Sequence, residues 1–292
     1  MAKIIVAPHA GFCFGVERAI ELAEEASKYA KEGKKVYTYG PLIHNPQEIG
    51  RLKKLGINVL EDENQLDENT VLILRSHGIP PQKERALKAK GVKIVDATCP
   101  YVKAVHEAVV QLVKEGYFVV LVGEKNHPEV LGTWGYLEDA GGKGIIVEKL
   151  EDLKEAFKYS KVGIIAQTTQ NEQFFKEVVG ETALWVNEVK VINTICNATS
   201  IRQEEVRELA PKVDVMIIIG GKNSGNTTRL YKIAKSLNSN SHHIEVPEEL
   251  NPKWFKNAET IGVSAGASTP KWIIEAVINR IKEITNANLV SS

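Results

Sequence analysis

Short, continuously apolar runs that alternate with helix-patterned segments restrict this chain to few folds. The runs TVLILRS, YFVVLVGE, VGIIAQ, DVMIIIGG and TIGVSAG are apolar at consecutive positions rather than at every second one. A strand of that kind needs cover on both faces, which a parallel sheet flanked by helices provides. The expected class is therefore α/β. With 292 residues, 43% of them apolar, the chain is too long for one hydrophobic core and divides into several.

Three cysteines narrow the reading. Cys13, Cys99 and Cys196 lie 86 and 97 residues apart, and each ends a β-like run (KIIVAPHAGFC, GVKIVDATC, VKVINTIC) and precedes an amphipathic helix. Val16, Ala19, Ile20 and Ala23 fall on one helical face, as do Val102, Val105, Val109 and Val113. Each thiol is expected at a strand's C-terminal edge and a helix N-terminus. There the helix dipole and unpaired amides favour the thiolate, which binds metal or attacks an electrophile.

The pattern recurs beyond the cysteines. The next strand after each one ends in a polar turn, GPLIHNPQE, GEKNHPEV or GGKNSGNT, which places His44, His127 and Ser224 at 31, 28 and 28 residues past Cys13, Cys99 and Cys196. A second strand ends in RSHGIPPQ, AQTTQNE or SAGASTPK, which places His77, Thr168 and Ser268 at 64, 69 and 72. This repeat predicts three small α/β/α lobes with mainly parallel sheets, over residues 14–99, 100–196 and 197–285. The N-terminal strand, within 1–13, completes the third lobe, and 286–292 is left as a dispensable tail. A chain closed in this way is expected to arrange its lobes about a pseudo-threefold axis. Its polar turns would then meet in a central cavity, because ligands of open α/β sheets bind at the C-terminal ends of strands.

Charge and termini exclude several classes. Lys plus Arg and Asp plus Glu number 37 each, so nothing draws the chain to nucleic acid or an anionic membrane. No apolar run approaches the length that spans a bilayer, and MAKIIVAPHAGF lacks the charged start and long apolar core of a signal peptide. A cytoplasmic protein is expected, and its widely spaced cysteines read as reduced thiols. A monomer is expected too, since three lobes would enclose the site and no long apolar surface helix stands out.

Three thiols without close sequence pairs such as C-x2-C fit a structural zinc site poorly. An iron-sulfur cluster on three cysteines keeps one iron open to substrate. A set of inert buried cysteines is the third reading, and spacing alone leaves all three open. His44, His77 and His127 supply imidazoles, while Asn223, Ser224, Asn226 and Ser268 supply small donors beside glycines, a mixture that suits a phosphate or diphosphate. GGKNSGNTT lacks the G-x4-G-K-[ST] order of a nucleoside triphosphatase loop. His9, His106, His242 and His243 fall outside the repeated turns and read as structural or solvated. Glu129 is either a first-turn acid that complements its helix dipole or a proton donor, and Thr168 and Thr169 either cap a helix or orient that proton. A sensor of phosphorylated metabolites and a cysteine-nucleophile transferase compete with a reductive enzyme.

Eight motifs in order, GFCFGVERAI, RSHGIP, DATCPYV, NHPEVLGTWG, QTTQ, CNATSIRQ, GGKNSGNTTRL and SAGAST, resemble the family of 4-hydroxy-3-methylbut-2-enyl diphosphate reductases from Lys3 to about Ile284. The resemblance implies a three-lobed α/β fold around an iron-sulfur cluster, 4Fe-4S in the active form, on Cys13, Cys99 and Cys196. It implies reductive removal of the substrate's allylic hydroxyl at the cluster's open iron, giving isopentenyl and dimethylallyl diphosphates, with electrons from ferredoxin or flavodoxin. By the same carry-over the diphosphate is held by His44, His77, His127, Ser224, Asn226 and Ser268, and Glu129 is the proton source, helped by Thr168. Some relatives carry a second serine where this chain has Gly225, so here only the backbone amide contributes.

Overall fold

The computed structural model describes residues 2–290. From the N-terminus run β1 (Lys3–Val6), α1 (Phe14–Lys31), β2 (Lys35–Thr38), α2 (Pro46–Lys54), β3 (Ile57–Val59), β4 (Thr70–Leu74), α3 (Pro81–Ala89) and β5 (Lys93–Asp96). Then follow α4 (Pro100–Lys114), β6 (Phe118–Val122), α5 (Pro128–Asp139), β7 (Gly144–Val147), β8 (Lys161–Ala166), α6 (Glu172–Trp185) and β9 (Glu188–Val191). The last stretch holds α7 (Asn197–Leu209), β10 (Val215–Ile219), α8 (Gly225–Leu237), β11 (Ser241–Ile244), β12 (Thr260–Ala265), α9 (Lys271–Thr285) and β13 (Asn288–Val290).

The strands form three sheets, ordered β11-β10-β12-β1-β13, β3-β2-β4-β5 and β7-β6-β8-β9. Every ladder among the described residues is parallel. The continuous apolar runs now have a cause. In β10, Val215, Ile217 and Ile219 enter one core while Met216 and Ile218 enter another. In β6, Phe118, Val120 and Val122 divide from Val119 and Leu121 in the same way. With helices on both faces, no position of such a strand meets water, and all five residues of β4, β6 and β10 are buried.

Two compact units result, Met1–Glu17 with Ile43–Arg51 and Asn197–Ser292, and Arg18–Leu42 with Leu52–Cys196. The first holds the five-stranded sheet and the second holds both four-stranded sheets. The N-terminal strand completes the C-terminal sheet as expected: Ile4, fully buried, stands opposite Ile261 of β12 and Leu289 of β13. The expected tail needs correction. Asn286 caps α9 in the left-handed conformation (φ 52°), which turns the chain back. Ala287 is then buried, and Asn288–Val290 adds β13 at the sheet edge beside β1. Among the described residues no helix is long and apolar enough to cross a membrane.

Candidate active site

All three cysteines are half-buried and none is in a disulfide. Cys13 and Cys196 directly precede α1 and α7, and Cys99 is the N-cap of α4 with Pro100 after it. One backbone bond recurs at each. The Cys13 N–H donates to the Ala267 carbonyl (3.1 Å), the Cys99 N–H to Ser76 (3.0 Å) and the Cys196 N–H to Thr168 (2.8 Å). The acceptors lie in the turns after β12, β4 and β8, so the repeat read from spacing exists at the level of single hydrogen bonds. It also shifts one pairing. His77 and Ser268 follow their acceptors by one residue, so their equivalent between Cys99 and Cys196 is Thr169 and not Thr168. The expected strand-edge placement is loose at Cys13, because β1 stops at Val6. Pro8 has no N–H for a ladder, and Gly11 (φ 106°) bends the chain away.

In the second unit, His127 caps α5, and its Nδ1 accepts the Glu129 N–H (3.2 Å), so the neutral ring carries its proton on Nε2. The His77 ring stands edge-on to it at 5.4 Å. His77 sits in a turn that ends at Gly78 (φ 72°), where a Cβ would lie 2.8 Å from His106. His106 is buried and stacked on Tyr136 at 4.1 Å, and burial pulls its pKa down to about 4. It is a neutral floor for that turn, consistent with its structural reading.

Glu129 is 2% exposed. Its two oxygens accept the Thr168 N–H (2.6 Å) and the Thr168 Oγ–H (2.8 Å). Burial pushes the carboxyl up to about 7, and the Thr168 bonds pull the other way. Thr168 thus holds the acid with its amide and hydroxyl, and holds the Cys196 amide with its carbonyl. Gln167 was not singled out from sequence. Its buried carboxamide accepts the Glu124 N–H (3.1 Å) and donates to Thr169 Oγ (3.0 Å), tying together the turns that carry Glu129 and Thr168. Thr168→Val removes the hydroxyl that favours the carboxylate. The titration of Glu129 is expected to move up by about one to two pH units, the worth of a hydrogen bond to a charged group. Infrared difference spectroscopy of the carboxyl band checks this, and an unmoved titration contradicts it.

In the first unit, Ser224 caps α8 and accepts the Thr227 N–H (3.4 Å). Gly225 and Asn226 open the helix, where amides point outward at an anion. The Asn226 side chain is 5% exposed and neither of its polar atoms has a partner among the described residues. That is a cost that a bound polar ligand would relieve. The His44 backbone crosses Gly221 so closely that a Cβ there would lie 2.6 Å from its carbonyl oxygen, and the same carbonyl accepts Ser268 Oγ–H (3.4 Å). Beside it, the Glu48 carboxylate accepts from Arg51 and from Trp272 Nε1, and the Glu48 amide donates to Asn45. The remaining histidines are engaged elsewhere: His9 with Glu205, His242 stacked on Trp254, and His243 with the Gly220 carbonyl.

Half-buried thiols at helix N-termini, none of them in a disulfide, have the chemistry of iron-sulfur ligands.

Comparison with known proteins gives concordant results. The LytB protein family model matches residues 4–282. A protein of Aquifex aeolicus named 4-hydroxy-3-methylbut-2-enyl diphosphate reductase is 68% identical over 292 residues, covering 100% of each chain. One of Pelobacter propionicus with the same name is 46% identical over 98% of this chain and 100% of its own. A solved structure of (E)-4-hydroxy-3-methyl-but-2-enyl diphosphate reductase, the terminal enzyme of the non-mevalonate pathway, shares 68% identity. It aligns over 97% of this chain and 100% of its own, with a TM-score of 0.76. The E-1-hydroxy-2-methyl-but-2-enyl-4-diphosphate reductase of Plasmodium falciparum, 29% identical, aligns over 100% of this chain and 92% of its own with a TM-score of 0.88.

Proposed function

This chain belongs to the LytB protein family, and from that premise we propose that it reduces 4-hydroxy-3-methylbut-2-enyl diphosphate to isopentenyl and dimethylallyl diphosphates. The reaction consumes two electrons and two protons: the C–O bond breaks, the hydroxyl leaves as water, and a C–H bond forms. The observation that carries the reading is Glu129, a buried carboxyl with a pKa near 7, tied through one threonine to Cys196. A carboxyl of that kind is still about half protonated at pH 7 and can give its proton to a departing hydroxide.

Cys13, Cys99 and Cys196 would hold a 4Fe-4S cluster. When bound, the cluster would supply the electrons, received from ferredoxin or flavodoxin, and one iron with an open coordination position. The chain's own residues do the rest. Imidazoles of His44, His77 and His127, hydroxyls of Ser224 and Ser268, the Asn226 carboxamide and the Gly225 amide would bind the diphosphate. Contacts to that remote group orient the allylic alcohol, so binding energy is spent on position. Thr168 holds the Glu129 carboxyl through both of its oxygens and so fixes where its proton can be given.

The test is direct. The chain, loaded anaerobically with iron and sulfide and supplied with a reduced viologen dye, should convert the substrate to both products, as read by mass spectrometry. A loaded chain that binds the diphosphate and returns it unchanged would rule the enzyme reading out in favour of a sensor.

A further inference from the structure

We propose that Arg202 is a positioning residue for the cysteine centre: its buried guanidinium clamps the Cys13 loop to the first turn of α7 and places a fixed positive charge against the backbone that carries Cys13. The inference rests on the proposed cluster and adds a residue to it. Arg202 is 4% exposed. Its Nη1 donates to the Ala198 carbonyl (2.8 Å), and its Nη2 donates to the carbonyls of Gly11 (2.7 Å) and Phe12 (3.2 Å). Phe12 is the residue before Cys13, and Ala198 is the second residue after Cys196. One planar group therefore ties together the backbone next to two of the three cysteines.

The Cys13 loop needs such a tie. Beyond Ala7, whose N–H still donates to the Val263 carbonyl (2.8 Å), it leaves the sheet, and its own backbone bonds are sparse: Ala10 to Ala7 (3.0 Å), Gly11 to Ala265 (3.5 Å) and Cys13 to Ala267 (3.1 Å). One arm of the Arg202 fork, Nη2, reaches two consecutive carbonyls of this loop while the other, Nη1, holds the Ala198 carbonyl on the helix. That geometry suits guanidinium, whose donors are fixed in a plane, and does not suit the point charge of lysine.

The charge has its own consequence. A guanidinium stays ionised in any protein, and burying it is costly unless an anion lies near. A cluster held by Cys13 would bring negative charge to the loop that Arg202 binds. One-electron reduction of a cluster adds one negative charge, so a cation held beside it favours the reduced form. A purely mechanical clamp would leave the reduction potential alone.

The experiment uses the full chain with Arg202→Met, which keeps length and removes charge, and Arg202→Lys, which keeps charge and removes the fork. Three readings are taken: the rate of iron loss to a chelator, the midpoint potential by dye-mediated titration, and amide exchange of residues 11–13 in the metal-free chain. R202M is expected to lose iron roughly ten- to a hundredfold faster, the usual effect of removing a group that orients ligands. It should also titrate at a more negative potential and exchange faster at the loop. R202K should return the potential towards that of the wild type but not the iron retention. Wild-type exchange in R202M overturns the clamp, and an unchanged potential in cluster-loaded R202M overturns the electrostatic role. A wild-type chain that takes up no cluster overturns the proposed function and that role with it, while the exchange reading still decides the clamp.

Discussion

Glu129→Gln is expected to lower turnover by roughly 10²–10⁴-fold, the usual worth of a positioned proton donor, while iron content and diphosphate binding stay at wild-type levels. The amide has the shape of the carboxyl and can still accept the Thr168 N–H, so the fold has no reason to change. What it lacks is a proton to give. In the wild type, activity should fall as pH rises above about 7, where the carboxyl loses that proton, and the variant should lack this limb.

Stability reports the same group independently. The folded-state pKa is raised, so between 4.5 and about 7 the native chain holds a proton that the unfolded chain has released. This contribution is fully present below 4.5 and is lost as pH rises through about 7, a difference of about 3 kcal/mol. Urea unfolding of wild type and E129Q at pH 5 and pH 8 separates it from all other titrations, which are common to both. The wild type should lose about 2.5 kcal/mol more than the variant between the two pH values. Equal losses would mean that Glu129 titrates as an ordinary surface acid, and the proton-donor assignment would fall.

Serine at any one of Cys13, Cys99 or Cys196 is expected to abolish stable iron loading and to lower turnover by well over a hundredfold, beyond the 10–100-fold typical of outer partners. A serine hydroxyl keeps its proton at neutral pH where a thiol can yield it, and iron in a sulfide cluster prefers sulfur. The chain has three cysteines in all, so none is left to take over. The fold should survive, because backbone amides at these positions donate to the carbonyls of Ala267, Ser76 and Thr168, and serine keeps those bonds. Iron analysis, visible absorption and thermal melts of the three variants check this together. A variant that keeps its iron and colour identifies a cysteine that is not a ligand.

The proposed site was legible in part. Cysteines at helix starts and polar turns after strands are local patterns, and spacing alone revealed that they repeat. The one-residue offset at Thr169 was not legible, because it depends on which carbonyl meets each cysteine amide. Gln167 was equally hidden, since its partners Glu124 and Thr169 are set by how two loops meet. Arg202 left a faint trace: a basic side chain in the second turn of a helix runs against the dipole preference and calls for a partner.

By itself the sequence determined the α/β class, the parallel sheets and the return of the first strand to the last sheet. Those features follow from which residues must avoid water along strands such as β6 and β10, and that demand is written into consecutive positions. Only the tertiary structure decided the acidity of Glu129, made by burial and by a threonine 39 residues away. The same holds for the Arg202 clamp on a loop 191 residues distant and for strand β13 in an apparent tail. Each depends on segments that meet only after folding, and no periodicity of 2 or 3.6 along the chain records such a meeting.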